Sequence, residues 1–342
     1  MDQQSLKTEE TLPKRESSTG KPCFSSYQIN KQMEKNGTML FIYQLIMQGF
    51  AFLVVFYMML GFTFLEKTFN LENLEYIQSE FVALTYLLTM LAVLIAYIPV
   101  YFYMKKQGLL LSVQMQKTDV PKKIIGIGLV LCFAASSVGS LVFYPLEYVA
   151  NTFGYTLYTN MEQDTTFLYY IISFTYIVVV GPIVEELVYR GGILMSLRRF
   201  GDKFAITVSA ILFGLMHGNI LQAIFATIVG FVLGYICVKT NSLRYCIIIH
   251  MLNNFVSLLL SDWIYPQIPE QMIWMLDIVM NAGFLLLGLG ILYYFRGKIH
   301  VETMGEIPVD RPYRRYFTRI PVILLILFFA FEIIFLSVSP LE

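Results

Sequence analysis

The 342-residue chain is 57% hydrophobic and only 14% charged, whereas a soluble domain carries nearer a quarter charged residues; most of its apolar surface must face something other than water. The formal net charge of +0 removes the electrostatic case for nucleic acid as a partner. Uncharged runs long enough to cross a bilayer core of about 30 Å, which takes about 20 residues of helix, recur along most of the chain. An integral, multi-pass membrane protein follows.

Residues 1–37 are polar, mixed in charge and poor in apolar periodicity, the composition of a disordered cytoplasmic tail. The first apolar run begins behind that tail, near Thr38. A cleavable signal peptide has its short apolar stretch much nearer the start, so this run is expected to persist as a membrane helix. Candidate spans follow at 39–65, 81–104, 123–147, 166–195, 204–218, 219–238, 243–261, 272–295 and 320–338. The fifth is short and is parted from the sixth only by His217, Gly218 and Asn219. The expected fold is an all-α, polytopic membrane helical bundle of eight to nine transmembrane helices over residues 38–342. In the sixth span, Gly230 and Gly234 lie four apart and would allow close packing against a neighbour. Cys132, Cys237 and Cys246 sit inside apolar runs, where a small buried hydrophobe is the expectation, and Cys23 lies in the tail; no structural disulfide is expected.

Lys and Arg mark the cytoplasmic loops of membrane proteins. Basic clusters stand at 7–35, 105–123, 190–203, 239–244 and 296–319, and with nine spans and a cytoplasmic N-terminus all of them fall on the inner side. That accounts for 23 of the 24 basic residues, leaving Lys67 outside. The alternate loops carry acids: Glu66, Glu72, Glu75, Glu80, Glu162, Asp164, Asp262 and Glu270. The expected topology is N-in and C-out, in what is expected to be the cell membrane of a bacterium.

An ionisable group inside a bilayer costs roughly 2.5–3.5 kcal/mol on insertion scales, so it needs a partner or a purpose. The fourth span ends in Gly181-Pro-Ile-Val-Glu185-Glu186-Leu-Val-Tyr-Arg190-Gly-Gly. Glu186 and Arg190 are four apart and share a helix face in the favoured order. Glu185 is rotated about 100° away, which suggests that Glu186 is tied to Arg190 while Glu185 faces the bundle interior. The bland alternative has both acids neutralising cytoplasmic arginines. Two of the chain's three histidines then fall inside apolar runs, in Phe213-Gly-Leu-Met-His217 and His250-Met-Leu-Asn-Asn254. A chain turn near Gly201 would put Glu185 and His217, each 16 residues from it, at similar depth. His250 and Asn254, four apart, project from one face. A buried glutamate with an imidazole can deprotonate a water, and an imidazole with a non-titrating amide can stabilise the oxyanion formed when that water attacks a peptide carbonyl.

Glu-Glu-x-x-x-Arg, Phe-x-x-x-His and His-x-x-x-Asn, in this order on successive membrane helices, resemble the CAAX protease and bacteriocin-processing family of intramembrane glutamate proteases. The resemblance covers roughly residues 165–262, the expected catalytic core. It implies that Glu185 and His217 activate water, that His250 and Asn254 form the oxyanion hole, and that Glu186 and Arg190, with Phe213, support the first glutamate. Some relatives are immunity or processing factors for small peptides, and eukaryotic ones cleave prenylated CAAX tails.

His-Glu-x-x-His, Gly-x-Ser-Gly and Gly-x-Gly-Asp are absent from the sequence, which sets aside zincin, rhomboid and presenilin chemistry. Metal-free water activation is the leading expectation and no cofactor is expected; a zinc ion on Glu185, His217 and His250 is the alternative. Glu332 lies inside the ninth span without a sequence-local partner and is expected to hydrogen-bond to a neighbouring helix or face a water-filled crevice, a functional role being the alternative; Asp277 is read as interfacial and His300 as solvated. The leading function is an endopeptidase acting at or within the bilayer on a peptide or membrane-protein substrate. A non-catalytic peptide-binding or bacteriocin-immunity protein would use the same polar cluster, and a Glu/His proton-relay transporter is disfavoured by the lack of symmetry-related repeats.

Overall fold

The first helix, α1, spans Ser26–Thr68, so residues 26–37 are its opening turns and not part of a disordered tail. Two local features explain the early start. Ser25 Oγ accepts from the Gln28 N–H at 3.2 Å while Gln28 Oε1 accepts from the Ser25 N–H at 2.8 Å, a reciprocal cap that satisfies two otherwise orphaned donors. Ile29, Met33, Asn36 and Leu40, spaced by three and four residues, are all buried and face the bundle. Upstream, Arg15–Glu16 pairs antiparallel with Pro22–Cys23.

The computed structural model describes residues 15–16, 22–68, 74–109, 114–115, 120–157 and 167–340. The rest of the expected tail, Lys117 and the loop acids Glu72, Glu162 and Asp164 lie outside them. After α1 come α2 (Leu74–Lys106), with Pro99 inside it, and α3 (Lys123–Thr152), with Pro145 inside it. A fourth helix, α4 (Phe167–Phe200), alternates between α and π geometry. Then follow α5 (Asp202–Leu215), α6 (Ile220–Thr240), α7 (Leu243–Leu258), α8 (Glu270–Phe295), the short α9 (Pro312–Phe317) and α10 (Ile320–Ser337). Each expected span has a helical counterpart, but among the described residues seven helices, not eight or nine, are long and apolar enough to cross a membrane, the counterpart at Ile320–Phe335 being a shorter apolar helix. The α5 helix, 14 residues long, reaches only about 21 Å. The molecule is a polytopic helical bundle whose strands, among the described residues, form only two-stranded pairs, and its large apolar side chains point outward as well as inward. On α8, Leu286 and Val279 are 70% and 66% exposed, a surface that water would not tolerate and hydrocarbon does.

Sidedness is visible in the contacts between loops. At one end, Gln32 donates to Gln107 at 2.7 Å, Arg315 to Asn30 at 3.4 Å and Arg198 to Asn241 at 2.7 Å, while the Lys203 N–H reaches the Glu302 carbonyl at 3.0 Å. These bonds join the start of α1, the end of α2, the α4–α5 turn, the α6–α7 turn and the α8–α9 connection, which are the basic segments. At the opposite end, Tyr155–Thr156 pairs antiparallel with Ser339–Pro340. A buried polar knot ties the basic end together: Asn36 Nδ2 donates to Ser196 Oγ at 2.6 Å and Tyr316 Oη donates to Asn36 Oδ1 at 2.7 Å.

The site is framed by α4 to α7. Gly201, at φ 128°, makes the α4–α5 turn, and a Cβ there would stand 2.6 Å from the Thr303 carbonyl oxygen; only glycine combines that dihedral with that approach. The α6 glycines pack as anticipated. A Cβ on Gly230 would meet the Ala210 backbone at 3.1 Å, and one on Gly234 would meet Ile206 at 3.2 Å. Cys132, Cys237 and Cys246 are buried free thiols.

Candidate active site

Glu185 and Glu186 occupy the single α-helical turn Gly181–Glu186, held between π-helical stretches at Thr175–Val180 and Leu187–Leu194. Such wide turns recur at functional sites because they shift side-chain register and loosen the carbonyl ladder. The two acids separate as their helical positions require. Glu186 is fully buried and its Oε1 accepts from Arg190 Nη1 at 2.8 Å. Glu185 retains 19% side-chain exposure, and its Oε1 lies over Gly181, 3.6 Å from where a Cβ would stand. A glycine at that position leaves the carboxylate room to fold along its own helix.

Arg190 is among the largest fully buried side chains of the molecule. Besides Glu186 it reaches the Gly230 carbonyl through Nη2 at 3.3 Å, and its guanidinium carbon lies 4.3 Å from the Phe213 ring centroid, a cation–π contact. Phe213 is the meeting point of the site. Its ring stands edge-on to Tyr189 at 5.4 Å, to His217 at 5.3 Å and to His250 at 5.7 Å between centroids. Tyr189 and Phe213 each lie twelve residues from Gly201 and are in ring contact, so the antiparallel α4 and α5 run level at that depth.

The two histidines are held in different ways. His250, 5% exposed, places Nδ1 3.0 Å from Glu186 Oε1 and Nε2 3.7 Å from Glu185 Oε2, bridging both carboxylates from α7. His217 Nδ1 lies 2.9 Å from the Phe213 carbonyl oxygen. A carbonyl can only accept, so Nδ1 carries the hydrogen and Nε2 keeps its lone pair in the neutral ring. His217 also feels the Glu185 carboxylate and the His250 ring electrostatically. Its backbone belongs to the turn between α5 and α6, and Asn219 fixes that turn. Asn219 Oδ1 accepts from the Gln222 N–H at 2.8 Å, capping α6, while Nδ2 donates to the His217 carbonyl at 3.3 Å and to Gln222 Oε1 at 2.8 Å. Non-helical backbone at membrane depth survives only where its polar groups are satisfied in this way.

Six of the seven residues singled out from sequence, Glu185, Glu186, Arg190, Phe213, His217 and His250, form one connected cluster. Asn254 stands a turn beyond His250 on α7, and its Nδ2 donates to the Ile177 carbonyl at 3.0 Å, within the first π stretch; Asn253 Nδ2 lies 3.4 Å from Asn254 Oδ1. One amide hydrogen of Asn254 is thereby used and the second is free of that bond. Among the described residues, no group of three His, Cys, Asp or Glu side chains is arranged to hold a metal ion.

Sequence reasoning missed several partners. Asn219 and Gln222 carry a legible N-cap signal at the head of an apolar run, masked because the spans on either side were read as nearly continuous. Ser209 donates to the Tyr189 carbonyl at 2.8 Å in the second π stretch, and π geometry has no simple sequence signature.

The family described as "Type II CAAX prenyl endopeptidase Rce1-like" matches residues 167–256, a stretch containing all seven residues. A Bacillus subtilis (strain 168) protein named "Putative membrane peptidase YdiL" is 27% identical over 95 residues, amounting to 27% of this chain and 39% of that protein. The chain thus spans about two fifths of the length of the curated relative it matches. No solved structure matches. The resemblance carried by the three motifs is met again by comparison: residues 167–256 of this multi-pass membrane protein match the Rce1-like, type II CAAX prenyl endopeptidase family.

Proposed function

We propose that the chain is an intramembrane endopeptidase of the glutamate type, hydrolysing a peptide or membrane-protein substrate with a water activated by Glu185 and His217. The observation that carries this reading is the buried cluster itself. Two carboxylates, a guanidinium and two imidazoles from α4, α7 and the α5–α6 turn meet around Phe213 of α5, where isolated charges would be too costly to keep without use. The family match over the same residues supports peptidase chemistry.

In this reading Glu185 takes one proton of a water as its oxygen attacks the scissile carbonyl, while the Nε2 lone pair of His217 accepts a hydrogen bond from the water's other O–H. The carbonyl π pair moves onto oxygen and forms a tetrahedral oxyanion. His250 Nε2 and the second amide hydrogen of Asn254 donate to it. Because His250 Nδ1 already serves Glu186, Nε2 donates only as part of an imidazolium; one such cation, with Arg190, balances the charges of Glu185 and Glu186. Collapse of the oxyanion expels the amine, which receives the proton first taken from water. Glu186, Arg190 and Phe213 position this machinery without touching substrate. No metal is required, and the basic end of the bundle is taken as cytoplasmic because cytoplasmic loops retain Lys and Arg.

Glu185→Gln and His217→Ala are expected to express and insert normally yet to lose cleavage of a co-expressed membrane substrate, identified by its retention on the Glu185→Gln protein. Biological activity that survives both substitutions would instead favour a peptide-binding or immunity role. Cleavage by the purified chain is expected to persist in excess chelator; chelator-sensitive activity restored by zinc would overturn the metal-free mechanism.

A further inference from the structure

At the basic end, far from the cluster, a cavity of about 490 Å³ opens beside α9, just before the apolar α10. Four arginines line it, Arg311, Arg314, Arg315 and Arg319, together with Asn30, Thr318 and a single carboxylate, Asp310. Two of the guanidinium groups are fixed by the fold. Arg315 donates through Nε to the Asp310 carbonyl at 3.0 Å and through Nη1 to Asn30 Oδ1 at 3.4 Å. Arg319 donates through Nε to the Arg315 carbonyl at 2.9 Å and through Nη2 to Thr318 Oγ1 at 3.3 Å. The carboxylate of Asp310 is 3.8 Å from Arg311 Nε, with both side chains largely exposed, an ion pair of little weight.

Four like charges therefore face one cavity with one weakly engaged acid. Retention of a loop on the cytoplasmic side needs positive charge but not convergence, and free charges would splay apart into water. Every basic residue lining the cavity is arginine, whose planar fork matches phosphate oxygens in pairs. Depth points the same way. Arg319 immediately precedes Ile320, the first residue of α10, and Ile320 is 71% exposed, so the cavity lies where a membrane presents its headgroups.

We infer that this cavity binds the phosphate of an anionic phospholipid headgroup, holding α1, α9 and α10 together at the membrane surface through Asn30, Arg315 and Arg319. The site is independent of the peptidase reading and would stand if that reading failed.

The test uses the full-length chain in neutral detergent, with thermal unfolding followed before and after addition of dioleoylphosphatidylglycerol. The expected result is a rise in Tm of roughly 2 °C or more, not given by dioleoylphosphatidylcholine or by inorganic phosphate at the same concentration. The double variant Arg311→Gln, Arg314→Gln is expected to lose the lipid-dependent rise. Lys105→Gln, Lys106→Gln, which removes two exposed charges from the same end, is expected to keep it. Because the readout is the difference with and without lipid in each variant, an altered baseline does not obscure it. No rise with phosphatidylglycerol, an equal rise in the arginine variant, an equal loss in the lysine variant, or an equal rise with inorganic phosphate would each overturn the assignment.

Discussion

Arg190 illustrates why single residues in this bundle are not interchangeable. Its guanidinium is enclosed by Glu186, the Gly230 carbonyl and the Phe213 face, and removing it leaves the buried Glu186 carboxylate with His250 as its remaining ionisable partner. Breaking such a pair from one side costs about 3–5 kcal/mol, whereas replacing both partners with uncharged groups costs far less. Arg190→Met is therefore expected to lower the Tm steeply, and addition of Glu186→Gln to recover much of the loss, in detergent melting curves. Equal losses in the single and double variants would mean that Arg190 acts through packing alone. The pairing was legible because i,i+4 spacing survives the π stretch in which Arg190 stands. The role of Phe213 as the surface shared by one guanidinium and two imidazoles was not, since it depends on three helices meeting.

At the scale of elements, the decisive unit is the α5–α6 turn. Asn219 both caps α6 and holds the His217 carbonyl, so Asn219→Ala should cost about 1 kcal/mol of stability, the usual value of an N-cap, and also slow cleavage by displacing His217. Ser242, which caps α7 by accepting from the Arg244 N–H, provides the control: Ser242→Ala should cost similar stability without a comparable fall in turnover. Matching activities of the two variants at matched stability would remove the positioning role of Asn219. Apolar run length made the helices readable, and each candidate span met its helix. The edges were less readable: α1 begins at Ser26 because Ser25 and Gln28 cap it and Ile29 and Met33 bury against the bundle, and a mixed-charge composition hid that stripe. Nor does sequence announce the π turns of α4, where a backbone carbonyl such as that of Tyr189 takes a partner from another helix, Ser209 of α5.

The whole molecule gathers its basic loops at one end, which gives the charge alternation read from sequence a physical counterpart. If that end is cytoplasmic, Lys106→Cys and Arg296→Cys should react with a membrane-impermeant maleimide only in inverted vesicles, whereas Tyr155→Cys and Gln267→Cys should react in intact cells. Labelling of Lys106→Cys and Arg296→Cys from opposite sides would contradict the fold, and a uniform reversal would contradict only the orientation. The partial length of the match to known proteins also has a physical reading. The matched stretch, residues 167–256, is the part that contains the polar cluster on α4, α5 and α7.

If Glu185 and His217 act as one unit on one water, the kinetics of Glu185→Gln, His217→Ala and the double variant reveal it. Either single change should reduce cleavage by about 10²–10⁴-fold, and the double variant should be no slower than the worse single one, as happens when two groups serve one step. Losses that multiply, or a single variant that cleaves at the native rate, would contradict the account.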